Sequence, residues 1–304
     1  MAKTKAAWKD EVALVTGGAS GIGRALSEEL ASRGAEVVLA DRQHALAEDV
    51  ARAIREKGGR ATACELDVCD LDAFTRSVDG IVKRTGHVDY LFNNAGIAVG
   101  GEVSTYKRAD WDDVFDVNLR GVAYGIQAVY PHMVARGHGH IVNTASVAGL
   151  LPSPEAASYT ASKHAVVGLS KALRLEGKRH GVRVSVLCPG VIRTPILTGG
   201  KFGRMNVPIS EDKIMTQWEK LRPIEPAELA RRTLDAVERN VAIIVVPSWW
   251  KALWALERLS PTLSMKLWGR MLERVRRDLG IEEQPKTEAP KAAERPRAVG
   301  NSPN

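Results

Sequence analysis

The constraint that limits this chain most is one short segment. Glu11-Val12-Ala13-Leu14-Val15 is apolar and strand-like, and it runs into Thr16-Gly17-Gly18-Ala19-Ser20-Gly21-Ile22-Gly23. An amphipathic stretch from Arg24 to about Arg33 follows. Strand, glycine turn and helix in that order predict a βα unit. Glycine adopts positive φ and lets backbone approach a ligand closely. The helix start presents unpaired N–H groups and a partial positive charge, which suits a pyrophosphate. Gly34 closes the helix, Glu36-Val37-Val38-Leu39-Ala40 reads as a second strand, and Asp41 ends it. A carboxylate there is placed to accept hydrogen bonds from an adenosine ribose.

The same alternation continues to about residue 246 without a linker. Strand-like runs recur at Asp89–Phe92, Ile141–Ala145, Val182–Leu187 and Val241–Val246. Repeated βαβ units require one parallel sheet covered by helices on both faces. The expected fold is α/β, a Rossmann-type doubly wound parallel sheet of about seven strands, with a C-terminal helical extension. Residues 1–247 are expected to form a dinucleotide-binding and catalytic domain. Residues 248–280 form an amphipathic helical extension, and residues 281–304, rich in Pro, Ala and charge, a disordered tail.

Tyr159 and Lys163 lie four apart in Ser158-Tyr159-Thr160-Ala161-Ser162-Lys163, a helix-like stretch. That spacing puts them on one helix face. A cation beside a phenol favours the phenolate, and such a pair can exchange a proton with an alcohol or carbonyl oxygen.

The turn spacing Thr-Gly-x-x-x-Gly-Ile-Gly, with Asp67-Val68, Asn93-Asn94-Ala95-Gly96, Asn118, Ser146, the Tyr159/Lys163 pair, Pro189-Gly190 and Thr194 in that order, resembles the short-chain dehydrogenase/reductase family over some 180 residues. The resemblance implies an NAD(P)-dependent oxidoreductase. Its implied catalytic residues are Asn118, Ser146, Tyr159 and Lys163. Tyr159 would move the proton, Lys163 would tune it and hold the nicotinamide ribose, Ser146 would bond the substrate oxygen, and Asn118 would support a water chain. Ser146 and Tyr159 would touch substrate. The implied cofactor-binding set is Gly17, Ser20, Gly21, Ile22, Gly23, Asp41, Arg42, Asp67, Val68, Asn94, Ala95, Gly96, Tyr159, Lys163, Pro189, Gly190 and Thr194. Homodimers or homotetramers are common in the family.

Charge bears on cofactor choice. A 2′-phosphate would be repelled by Asp41, which favours NAD over NADP. Arg42 pulls the other way, since a guanidinium can pair with phosphate. The leading expectation is hydride transfer between NAD and a lipophilic secondary alcohol or ketone. The alternatives are an NADP-dependent carbonyl reductase and, from another class, a non-catalytic dinucleotide sensor or membrane-surface adaptor.

Composition narrows the setting. The net charge is +7 with three cysteines, Cys64, Cys69 and Cys188. Their spacing fits neither a disulfide framework nor a zinc site, so no metal is expected and a reducing, cytoplasmic setting is. In the first 240 residues no basic and aromatic interleaving suggests nucleic acid, and no nucleic-acid partner is expected.

The region 191–223 is irregular apart from a helical patch at Ser210–Lys220, and the family resemblance implies that it closes over substrate. Beyond it, residues 248–280 hold four of the seven tryptophans and seven Lys/Arg against three acids. A helix over Ser248–Leu259 is expected, then a second started by Ser260-Pro261. In the second, Leu263, Leu267, Met271 and Val275 recur every four residues, with Trp268 and Leu272 alongside. Pocket roof, subunit packing and peripheral membrane contact are all open readings of this segment.

Overall fold

The computed structural model describes residues 8–198, 202–206 and 209–281. The expected tail after residue 281 and Gly199–Gly200 of the expected lid lie outside the described residues. The strands in chain order are β1 (Val12–Thr16), β2 (Glu36–Asp41), β3 (Arg60–Glu65), β4 (Tyr90–Asn93), β5 (Ala98–Gly100), β6 (Gly139–Thr144), β7 (Val182–Pro189), β8 (Gly203–Met205) and β9 (Ile243–Val246). Seven of them form one parallel sheet in the order β3-β2-β1-β4-β6-β7-β9. The doubly wound α/β expectation holds. β5 and β8 pair separately, Ala98 against Gly203 through Gly100 against Met205.

The helices are α1 (Gly21–Ser32), α2 (His44–Glu56), α3 (Leu71–Thr85), α4 (Arg108–Phe115), α5 (Gly121–Arg136), α6 (Ala157–Gly177), α7 (Glu211–Glu219), α8 (Pro226–Glu238), α9 (Trp250–Leu259) and α10 (Pro261–Leu279). Leu26 and Leu30 of α1, Val50 of α2 and Leu234 of α8 pack on one face of the sheet. Phe74 and Val78 of α3, Val129 and Met133 of α5 and Leu173 of α6 pack on the other. Every residue of β1 and β4 is buried, as strands covered on both faces require.

The chain moves outward from β1 to β3 and then returns to the far side of β1 as β4. The loops after β1 and β4 therefore part in opposite directions and leave a crevice at the carboxyl ends of the strands. All of the expected strands are present, with ends displaced by a residue or two. The last strand, for one, pairs with β7 only from Ile243.

The extension is two helices, as the Ser260-Pro261 corner implies. Ser260 Oγ accepts a hydrogen bond from Leu263 N at 3.4 Å, and Pro261 opens α10. The first helix begins at Trp250 rather than Ser248, because Lys251 N bonds Ser248 O in a tight turn. Trp250 is 3% exposed and packs with Ala145, Val186, Cys188 and Val245, so α9 is anchored in the same cluster as the sheet.

Candidate active site

The glycine turn after β1 is built by clearance. Gly17 and Gly21 have φ of +64° and +50°, in the left-handed region. At Gly23 a Cβ would stand 2.0 Å from Gly17 O, so no side chain fits. Ser20 precedes α1 in extended conformation and makes no capping bond through its side chain. The first turn of α1 keeps the unpaired N–H groups that every helix start has. This cradle fits a dinucleotide pyrophosphate: close backbone, donors aimed outward, and no side chain between.

Two further residues define the edges of the cleft. Asp41 is 7% exposed. Its Oδ2 accepts from Ala19 N at 3.2 Å and its Oδ1 from Gln43 N at 2.9 Å, so the carboxylate is fixed while still lining the crevice. Thr16 joins β1 to the loop after β4: its hydroxyl accepts from Asn94 N at 2.9 Å and Ala95 N at 3.1 Å, and its carbonyl from Asn94 Nδ2 at 3.1 Å. Thr194 reaches across from the loop after β7, close enough that a Cβ at Gly21 would lie 3.2 Å from its methyl.

The polar centre lies at the ends of β6 and α6. Ser146 Oγ accepts from Ala148 N at 3.1 Å, which fixes the hydroxyl at the mouth of β6. Tyr159 lines the same cavity as Ser146. Lys163 is 3% exposed, its Nζ 5.5 Å from the centre of the Tyr159 ring and 2.9 Å from Thr144 O, to which it donates. Burial raises the Tyr159 phenol above its ordinary value, the nearby Ser146 hydroxyl opposing it. Burial also pushes Lys163 down, to about 8. The phenol is therefore raised where the sequence led us to expect it lowered: burial dominates, and it also pushes Lys163 toward the neutral form, which exerts no pull on a phenolate.

Asn118 sits in a π-helical turn, Asp116–Arg120, between α4 and α5. Its Oδ1 accepts from Ile97 N at 2.9 Å, and its Nδ2 donates to Ile97 O at 2.9 Å and Ser162 Oγ at 3.2 Å. The amide is fully used in bracing the loop after β4 and does not line the crevice. It comes within reach of the site through Gly96, where a Cβ would stand 3.3 Å from Asn118 Oδ1 and 3.5 Å from Lys163 Nζ.

These groups share one cavity of about 760 Å³. Its nucleotide side carries Gly17, Ser20, Gly21, Ile22, Asp41, Arg42, Asp67, Val68, Asn94, Ala95 and Gly96, and its centre Ser146, Tyr159, Lys163, Pro189, Gly190 and Thr194. Gly23 lies just behind the turn. Its far wall is largely apolar.

A family model described as short chain dehydrogenase matches residues 11–201. This chain belongs to the short chain dehydrogenase family. Among its relatives, a putative oxidoreductase, SadH, of Mycobacterium tuberculosis is 33% identical over 257 residues, covering 83% of this chain and 91% of the relative. Gluconate 5-dehydrogenase of Gluconobacter oxydans is 40% identical over 182 residues, 60% of this chain and 71% of that one. Among solved structures, a short chain dehydrogenase/reductase from Burkholderia phymatum in complex with NAD aligns with a TM-score of 0.76 at 31% identity, over 84% of this chain and 95% of that chain. The protein is thus an oxidoreductase of a nicotinamide-dinucleotide-binding family.

In this short chain dehydrogenase the far wall of the cavity holds residues that sequence reasoning did not assign to the site. Trp218 of α7 donates its indole N–H to Leu197 O at 3.0 Å and lines the wall. Trp250 of α9 lies against Gly190, where a Cβ would meet its Nε1 at 2.0 Å. Trp268, Leu272, Val275 and Leu279 of α10 close the roof. The signal for α10 was present in its four-residue apolar spacing, but that spacing drifts. Each step of four advances ~400° around a helix of 3.6 residues per turn, so three steps rotate the stripe by about 120°. Val275 therefore faces the cavity while Leu263 faces out, 47% exposed.

The roof is tied down at its C-terminal end. Arg276 pairs with Glu155 at 2.9 Å and with Glu102, and Asp278 with Lys220, just after α7, at 2.7 Å. The lid segment is held by Arg204, which bonds Asp110 at 2.7 Å, and by Asn206, which bonds it at 3.0 Å.

Proposed function

We propose that this protein transfers a hydride between NAD and a lipophilic secondary alcohol or ketone, with Tyr159 as the general acid/base. The observation that carries the reading is the meeting of Tyr159, Ser146 and Lys163 in a cavity whose opposite wall is formed by Trp218, Trp250, Trp268, Leu272 and Val275. An apolar wall facing a proton-transfer centre favours a substrate with one reacting oxygen and a hydrophobic body.

The bound nicotinamide would supply or accept the hydride. Gly17, Ser20, Gly21, Ile22 and Gly23 would hold the pyrophosphate, Asp41 the adenosine ribose, and Asp67 and Val68 the adenine side. Lys163 would hold the nicotinamide ribose and Thr194 the carboxamide. Ser146 donates a hydrogen bond to the substrate oxygen. Tyr159 holds or takes the proton at its phenol oxygen. Lys163, in its charged form, favours the phenolate. Asn118 is a positioning residue: by gripping Ile97 it fixes the loop against which Lys163 rests. The indole and leucine side chains of the roof exclude water, which strengthens every hydrogen bond at the reacting oxygen.

NAD is favoured because Asp41 is a fixed carboxylate at the end of β2. Arg42 is exposed beside it and makes no ion pair among the described residues, which keeps an NADP-dependent carbonyl reductase as the second reading. A sensor without turnover would have no use for Ser146, Tyr159 and Lys163 gathered on one cavity. An assembly of two or four chains is inferred from the family likeness and is read by light scattering. The deciding experiment is NAD and NADP reduction with a panel of secondary alcohols graded by chain length. Rising kcat/KM with apolar bulk and a preference for NAD are expected. Turnover confined to small polar alcohols would overturn the substrate class, and a preference for NADP the cofactor.

A further inference from the structure

Six of the nine large exposed hydrophobic side chains among the described residues lie between Trp249 and Met271. The other three, Leu46, Val103 and Leu175, are scattered. On α10, Leu263, Leu267 and Met271 are 47%, 42% and 36% exposed and follow one another at four-residue spacing, so they form one continuous stripe. Leu259, 85% exposed, stands at the corner where α9 turns into α10.

A second stripe runs beside the first. Lys266, Arg270, Arg274 and Arg277 are all exposed. Lys266 and Arg270 follow Leu263 and Leu267 by three residues, which places them on the neighbouring face. None of the four makes an ion pair among the described residues; the ion pairs of α10 use Arg276 and Asp278 instead. Four free cations flank an apolar stripe on a helix that is too polar to cross a bilayer. A monomeric protein has no folding reason to keep that combination in water.

We propose that the outer face of α10, with the Leu259 corner, docks on an anionic lipid surface. Leu259, Leu263 and Leu267 enter the headgroup boundary and the four cations meet lipid phosphates, with the helix lying in the plane of the surface. The charge decides between lipid and a second copy of this chain, because a two-fold contact would set the cationic stripe against itself. The stripe also leads somewhere. Met271 and Arg274 belong to the outer face and to the cavity lining at once, so the docked face ends at the mouth of the substrate cavity. On the proposed reading that the substrate is lipophilic, it enters from the lipid; the docking itself does not depend on that reading.

The test uses the full chain and two double variants, Leu263→Ser with Leu267→Ser and Lys266→Gln with Arg270→Gln. None of these four residues lines the cavity. Partition onto vesicles of phosphatidylcholine with phosphatidylglycerol is measured beside phosphatidylcholine alone, with NAD affinity and light scattering on each protein. The wild type is expected on the anionic vesicles only, released by high salt. Loss of the two cations should weaken binding roughly thirtyfold, at about 1 kcal/mol per charge near the surface. The leucine pair should weaken it at every salt concentration, and NAD affinity should not change. A wild type that stays in solution with anionic vesicles at low salt overturns the proposal. So do two variants that bind like the wild type, or a wild-type oligomer that the leucine variant breaks, which would give the face to a second copy. Docking without turnover of lipophilic alcohols would remove the substrate reading and leave the docking intact.

Discussion

The two ends of the cavity are made of different material. At the nucleotide end the work is done by backbone: the left-handed Gly17 and Gly21, the empty space at Gly23, and the N–H groups that grip Asp41. At the proposed substrate end it is done by bulk, with Trp218, Trp250, Trp268, Leu272 and Val275 contributed by three helices late in the chain. A backbone site tolerates almost no substitution and serves every member of a family that uses the same dinucleotide. A side-chain wall can be rebuilt one residue at a time, and so is where one member differs from the next.

That contrast can be attacked at its centre first. Tyr159→Phe should lower kcat by ~10²–10⁴-fold, the usual loss for a general acid/base. NAD affinity, which belongs to the other end, should hold. Turnover near the wild-type rate would remove Tyr159 from the mechanism.

Trp250→Ala tests whether the substrate wall is also core. A buried tryptophan removed to alanine costs about 3–5 kcal/mol, read as a lower urea midpoint. A loss under about 1 kcal/mol would mean that α9 only leans on the sheet.

Lys163 joins the two ends and should show itself through pH. Its folded value is about 8 against 10.5 for an ordinary lysine. Between those two values the unfolded chain binds the proton and the native one does not, so stability rises with pH across that window. Lys163→Met removes the slope. Urea midpoints of the two proteins without cofactor should separate from about pH 8 upward, in favour of a steeper wild type, by at most a few kcal/mol. Parallel curves would show that the amine keeps its proton inside the protein.

Gly23→Ala probes the nucleotide end alone. Forcing a methyl against Gly17 O should cost about 1–3 kcal/mol, seen as roughly tenfold weaker NAD binding or more. The effect on substrate discrimination should be nil. The smallest change is expected at Arg276→Gln, which frees one corner of the roof. A partly exposed ion pair is worth at most about 1 kcal/mol, so stability should barely move. KM for bulky alcohols should shift a few-fold while small alcohols are unaffected; equal shifts for both would mean that the roof does not discriminate.

The same contrast explains what could be read from the sequence. Glycine spacing, the carboxylate at the end of β2 and the four-residue separation of Tyr159 and Lys163 are local, and the main parallel strands followed from short apolar runs, whereas the β5–β8 pair did not. Asn118 was legible as a residue of interest, but its three hydrogen bonds were not, because they depend on a π-helical turn that shifts the amide toward Ile97. Trp250 and Trp268 stood out by composition. That Trp250 faces the cavity depends on how α9 meets Gly190, a contact across 60 residues that no local pattern encodes. The direction in which Lys163 titrates was likewise hidden, since it follows from burial and not from its neighbour on the helix.

The edge strand β9 has a consequence for how the protein is made. Val246 O accepts the N–H of Gly190 at 2.8 Å, and Trp250 covers the same glycine. Chains emerge from the ribosome N-terminus first. The glycine turn, Asp41, Ser146 and Tyr159 are therefore all synthesised before the strand that completes the Pro189–Gly190 corner. A nascent chain carries a cofactor cradle with one wall unsupported until its last strand is released. On the proposed reading, a chain that ends before β9 should hold NAD more weakly than the full chain.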